Sequence, residues 1–189
     1  MKKNISGIIF LMLIVMFFSC KKETLDDMTL TDGMIVFNLD GKDWIVKDIV
    51  ASYSDFTGTG GGEVISLLGS VQVGLDTYKS ISISVKDLEY ISEMNYNFST
   101  GDGTGAWIQI NEGKTPDSGI LYYSINPEDG LPGKGNVRIS VFNRGGSMIS
   151  GNFNGEIFKS NYTNNQTDEW IKTTIKSGRF QNIPVIIGK

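Results

Sequence analysis

Histidine is missing from this chain altogether, cysteine occurs once, at Cys20, and proline only four times in 189 residues. Each shortage closes a route. Without histidine there is no Ser-His-Asp or Cys-His catalysis, no His-ligated zinc, and no general base of the commonest kind near neutral pH. A lone cysteine forms no intramolecular disulfide, so the fold stands on its apolar core. Beyond the first few residues, basic side chains cluster nowhere outside the short Lys21 and Lys22 pair. Affinity for a phosphate backbone comes from clustered Lys and Arg that release counterions, so nucleic acid is disfavoured as a partner. The glycine-rich stretch 57–62 lacks the lysine and following helix of a phosphate-binding loop and runs instead into Glu63, Val64 and Ile65, a strand-like sequence.

One catalytic route survives, glycoside hydrolysis by a pair of carboxylates. Asp102, Glu112, Asp117, Glu128 and Asp129 are its candidates, but all are read as lying in turns, where acids stay solvated. Asp102 also has glycine and threonine neighbours where a calcium loop places acids at alternate positions. The expectation is a non-catalytic protein without cofactor or metal.

What the chain does have begins with its leader. Lys2 and Lys3 precede an unbroken apolar run over residues 8–18, which stops at Ser19 and Cys20. A helix needs roughly 20 apolar residues to span a bilayer, whereas signal-peptide cores run about 7 to 15; the run reads as a secretory signal. Its ending, a small residue directly before the only cysteine, resembles the lipobox of bacterial lipoproteins, with Phe17 and Phe18 departing from that motif's preference for small residues. The resemblance implies cleavage before Cys20 and acylation of that cysteine, which would anchor the protein to a membrane. The alternatives are a plain signal with an incidental cysteine or a leader left uncut. Cleavage takes two of the 17 basic side chains and none of the 21 acids, leaving a formal balance of −6.

Three segments are expected: a lipoprotein signal peptide over 1–19, a lipidated polar tether over 20–32, and one all-β domain over 33–189. Lys21, Lys22, Glu23, Asp26 and Asp27 in the tether look like the charged surface-export signals of Bacteroidota lipoproteins, which implies an outer-membrane protein displayed at the cell surface.

The 23 glycines, set among many serines, threonines and asparagines, point to short strands joined by turns. Asp40 and Gly41 form the dipeptide that best suits a two-residue type I′ hairpin turn. The register then places Leu39 opposite Lys42, Phe37 opposite Trp44 and Ile35 opposite Val46. Ile81, Ile83 and Val85 alternate with Ser80, Ser82 and Ser84, with Ile65, Leu67, Val71 and Val73 on the partner strand. Residues 52–62 read as a loop and 86–94 as a short helix plugging one end, with Leu88 and Ile91 on one side. Val137, Ile139 and Val141 alternate again. Ile149, Gly151, Phe153, Gly155 and Ile157 share a face on which the glycines leave room for large residues opposite. Pro184 favours an edge position for the last strand. The whole is expected to be an antiparallel β-sandwich or flattened β-barrel of about nine or ten strands, built mostly from consecutive hairpins.

Leu39-Asp40-Gly41-Lys42-Asp43-Trp44, Ile149-Ser150-Gly151-Asn152-Phe153 and Ile175-Lys176-Ser177-Gly178-Arg179-Phe180 together resemble a family of Bacteroidota lipoproteins of unknown function, with an early Gly-x-x-Trp hairpin and a late repeated Gly-x-Phe. That likeness implies an all-β surface lipoprotein and brings no catalytic residues. Two binding roles follow: a glycan binder that stacks sugars on exposed aromatics, for which Trp107, Tyr122 and Trp170 are the candidates, or an accessory module that contacts another envelope protein.

Overall fold

Asp40 and Gly41 do turn the chain as their chemistry requires, with φ of 53° and 75°. In the computed structural model the flanking strands, β1 (Met34–Leu39) and β2 (Lys42–Val46), pair in the register set by that turn at all five positions, Phe37 opposite Trp44 included. The two rings stack with centroids 5.2 Å apart and both are buried. The structure describes Leu25 and residues 29–74, 77–115, 118–143, 147–163 and 166–187. The leader, Cys20, Lys21, Lys22, Glu23, Asp26, Asp27 and Asp117 lie outside the described residues.

Nine more strands follow: β3 (Val50–Asp55), β4 (Glu63–Gly74), β5 (Thr77–Asp87), β6 (Asn95–Asn97), β7 (Gly105–Thr115), β8 (Ser118–Tyr123), β9 (Gly135–Asn143), β10 (Met148–Thr163) and β11 (Gln166–Ile187). Their pairing makes one sheet of 11 strands, ordered β2-β1-β11-β3-β4-β5-β7-β8-β10-β9-β6, which bends into a ring because β10 also pairs with β11. Two walls result. One is β2-β1-β11-β10-β9-β6 and the other β3-β4-β5-β7-β8; they join at one corner where the end of β11 meets β3 and at another where Phe158 and Lys159 of β10 meet Tyr123 and Tyr122 of β8. The ring is irregular, and one continuous apolar core fills it, with Phe37, Phe153 and Phe180 from the first wall and Ile65, Leu67, Ile81, Ile83 and Ile108 from the second.

The all-β architecture expected from the alternation is present, with four departures. The strand over 50–55 replaces the first part of a stretch that reads as loop. Its only fully buried side chain is Ala51, so the alternation that betrays other strands is absent; what holds it is pairing with β4 and, in parallel, with Val185, Ile186 and Ile187 of β11. That parallel pairing also makes the sheet mixed rather than wholly antiparallel. Second, 86–94 is not helical. The amides of Leu88, Glu89, Ile91 and Ser92 are taken by Thr104 Oγ1, Asp87 Oδ1, Glu63 Oε2 and the Tyr96 hydroxyl, so side chains, not i−4 carbonyls, satisfy the backbone. Ile91 plugs the core as expected, while Leu88 is exposed.

Third, Val141 faces solvent. The pairing of β9 with β10 shifts between Ser150 and Gly151, which stand opposite Val141 and Ile139. The skipped Ser140 is a bulge that reverses the facing of the residues after it, turning Phe142 inward to meet Tyr53 at 6.0 Å. Fourth, β11 is no edge: it lies between β1 and β10, and Pro184 sits at the corner where β11 leaves β10 for β3. A missing N–H is tolerated there because ladder pairing changes partner. Gly151 of β10 leaves room as the pattern asks, and Gly178 of β11 does the same. A Cβ on Gly151 would lie 2.5 Å from the Phe180 ring, and one on Gly178 would lie 2.7 Å from the Phe153 ring.

Candidate functional site

The three aromatic candidates separate by facing. Trp107 stands opposite Ser84 on the outward side of β7, half-buried, with its ring toward Gly101. Tyr122 corrects the expectation: it points inward and is only 4% exposed. Adjacent residues on a strand face opposite ways, so it is Tyr123 that points out, and Tyr123, not Tyr122, meets Trp170. Burial raises the Tyr122 hydroxyl to a pKa of about 12, helped by the charges of Glu112 and Asp40. Its work is structural.

The Tyr123 and Trp170 rings lie 5.7 Å apart at 58°. They wall a cleft of about 380 Å³ whose other sides are Leu121, Ile125 and Pro127. Each wall has a local cause. Tyr123 is held by Gln109 of β7 on one side and Phe158 of β10 on the other. Trp170 stands opposite Ser160, where a bulge interrupts the β10–β11 ladder, and the fully buried Ser160 hydroxyl accepts the Leu121 amide at 2.9 Å. That bond ties the start of β8 to β10 and sets Leu121 beside the tryptophan. Pro127 is positioned by a tight turn in which Asn126 Oδ1 accepts the Glu128 amide and Asp129 Oδ1 the Leu131 amide. Glu128 and Asp129 are exposed parts of that turn.

Polar groups border the same outward surface. Lys172, opposite Phe158, reaches Glu156 at 3.3 Å and lies over the Phe158 ring at 5.9 Å. The Lys134 amide and then Lys172 hold the Glu156 carboxyl below the usual carboxylate range. Gln109 is exposed beside Tyr123.

Among the described residues, the other candidate carboxylates do not converge on this cleft. Glu112 lies in strand β7, not a turn, and is paired with Lys79 at 3.4 Å. Asp102 receives the Thr100 hydroxyl in an exposed turn. Among the described residues no three acidic, cysteine or histidine side chains gather to hold a metal. The acid that sequence reasoning missed is Glu63. It is 3% exposed, takes the Tyr53 hydroxyl at 2.7 Å and the Ile91 amide at 2.6 Å, and stands opposite Asp87. It pins the 88–94 loop, which forms one side of a second, more polar hollow of about 720 Å³ between Tyr90, Glu93, Val141 and Phe142. Its signal was only that an acid opens a strand after a glycine run.

No match to the chain is found among protein-family models, curated proteins or solved structures.

Proposed function

We propose that the chain is a lipid-anchored lipoprotein of the outer membrane, displayed at the cell surface, and that it works as a non-catalytic binding module whose ligand surface is the Tyr123–Trp170 cleft. The anchor is supported by the apolar leader ending in Ser19 and Cys20 and by the likeness to Bacteroidota lipoproteins of unknown function. The non-catalytic reading is supported by the absence of histidine and by the separation, among the described residues, of Asp102, Glu112, Glu128 and Asp129.

The observation that carries the binding reading is the outward aromatic pair with its apolar floor and polar border. Apolar walls with a few placed polar groups are the ordinary composition of a ligand pocket. Sugar rings offer CH faces that stack on aromatic faces and hydroxyls that reach groups such as Gln109, Lys172 and Glu156. Of the two ligand classes, the cleft favours a glycan over an envelope protein: a hollow of about 380 Å³ suits one or two sugar rings, whereas a stable protein interface covers about 800 Å² on each partner.

Glycan-array screening of the processed protein tests this. Binding is expected to fall at least tenfold in Trp170→Ala and Tyr123→Ala and to survive in Tyr122→Phe. Failure on every glycan, together with capture of an envelope protein that Trp170→Ala abolishes, would move the site to the second class. Labelled palmitate incorporation, lost in Cys20→Ala, tests the anchor.

A further inference from the structure

β1 carries two apolar side chains on the wrong side of the wall. Ile35, Phe37 and Leu39 fill the main core, so Met34 and Val36 belong to the outward face, yet Val36 is 0% exposed. What covers them comes from upstream: Leu25, 5% exposed, and Leu30 make a second small apolar cluster with Met34 and Val36. Where composition suggests a free polar tether, these residues lie against the wall.

Polar contacts hold them there. Arg179, the cross-strand partner of Val36, donates from Nη2 to the Leu25 carbonyl. Its Nε is buried too, with no hydrogen-bond partner among the described residues. Asn182 Nδ2 donates to Asp32 Oδ1 at 2.7 Å, and the Gly33 amide to the Gln181 carbonyl at 3.0 Å. All three bonds fall on one short stretch of β11, 179–182.

We propose that this is a clamp on the anchor side of the chain: Leu25 and Leu30, seated on β1 and β11, fix which pole of the body faces the lipid and leave the Tyr123–Trp170 cleft at the opposite pole. The clamp stands on the contacts alone, and the orientation rests on the lipid anchor proposed above. Cys20 precedes Leu25 by five residues, so an acylated Cys20 stays within roughly 18 Å of the clamp at the reach of an extended chain. Trp170 precedes Arg179 by nine residues on one strand, about 30 Å at the strand rise. A thirteen-residue tether over 20–32 hanging free would let either pole approach the bilayer; held at Leu25, it puts only four residues between Cys20 and the clamp.

Two measurements on the full processed chain test this. In hydrogen exchange, the amides of Leu25 and of residues 29–33 should be protected at least tenfold over an unstructured peptide. Arg179→Ala and Leu25→Asp should remove that protection while β4 and β5 stay protected; the second change lies outside the sheet and spares the core. Unprotected amides in the unsubstituted chain would overturn the clamp. On phosphatidylethanolamine–phosphatidylglycerol vesicles with labelled headgroups, energy transfer from a fluorophore at Lys47→Cys, beside Asp32 and Gly33, should exceed that from one at Lys172→Cys severalfold. Leu25→Asp should equalise the two. Equal transfer in the otherwise unsubstituted protein would overturn the orientation, and vesicles that recruit no protein would refute the anchor and the orientation with it, leaving the clamp to the exchange result.

Discussion

At Gly151 a methyl group has nowhere to go: its Cβ would lie 2.1 Å from the Arg138 carbonyl oxygen and 2.5 Å from the Phe180 ring. Overpacking of this kind costs about 1–3 kcal/mol, so Gly151→Ala should lower the urea midpoint with an unchanged slope. Glu63→Ala should cost a similar amount, about 1–3 kcal/mol, by removing the acceptor of the Tyr53 hydroxyl and the Ile91 amide; exchange at residues 88–94 would rise before global unfolding. Tyr122 makes a pH prediction. Its pKa is raised by burial from 10.0 to about 12, so above pH 10 the unfolded chain releases this proton first and the native state holds it. Its contribution is therefore complete below pH 10 and lost as the pH climbs toward 12. Tyr122→Phe should flatten that part of the stability profile, read by urea unfolding at stepped pH. Side chains on regular strands were legible from alternation, and so was the room that Gly151 and Gly155 leave for large residues opposite, though not which residues fill it. Adjacent strand residues such as Tyr122 and Tyr123 must face opposite ways, but which one faces out depends on a neighbour, Trp170, that is close only in space.

At the scale of elements, the β1–β2 hairpin is the case in which local chemistry decides everything. Asp40 at φ 53° tolerates the left-handed region as few residues other than glycine and asparagine do, so Asp40→Val should destabilise by about 1–3 kcal/mol and Asp40→Gly should not. Thermal melts of the two variants make the comparison. The same residues told the register because a two-residue turn allows only one. Where local chemistry is silent, the sequence misleads: β3 has its pairing but little apolar alternation, the bulge at Ser140 reverses a period of two without any glycine or proline to mark it, and the 88–94 segment has helical spacing but side-chain acceptors waiting for its amides. Each miss is a long-range partner overriding a short-range preference.

At the scale of the molecule, closure of the ring hangs on the last residues of β11. Val185, Ile186 and Ile187 are the residues through which β11 pairs with β3, and Val185 and Ile183 also sit in the core. Deleting residues 185–189 should open that corner and lower the melting temperature by more than 10 °C, since the loss includes buried apolar surface as well as a strand pairing; differential scanning calorimetry would show it. The charge balance, the missing histidine and the lone cysteine bound this level from the start, whereas the closure itself was hidden because it joins residues more than a hundred positions apart.

β11 pairs with β1, β3 and β10, and the first two of these reach it only across more than a hundred intervening residues. Contacts so distant in sequence make folding slow. Docking of β11 onto β1 and β3 is therefore expected to be the late, slow step when the denatured protein refolds.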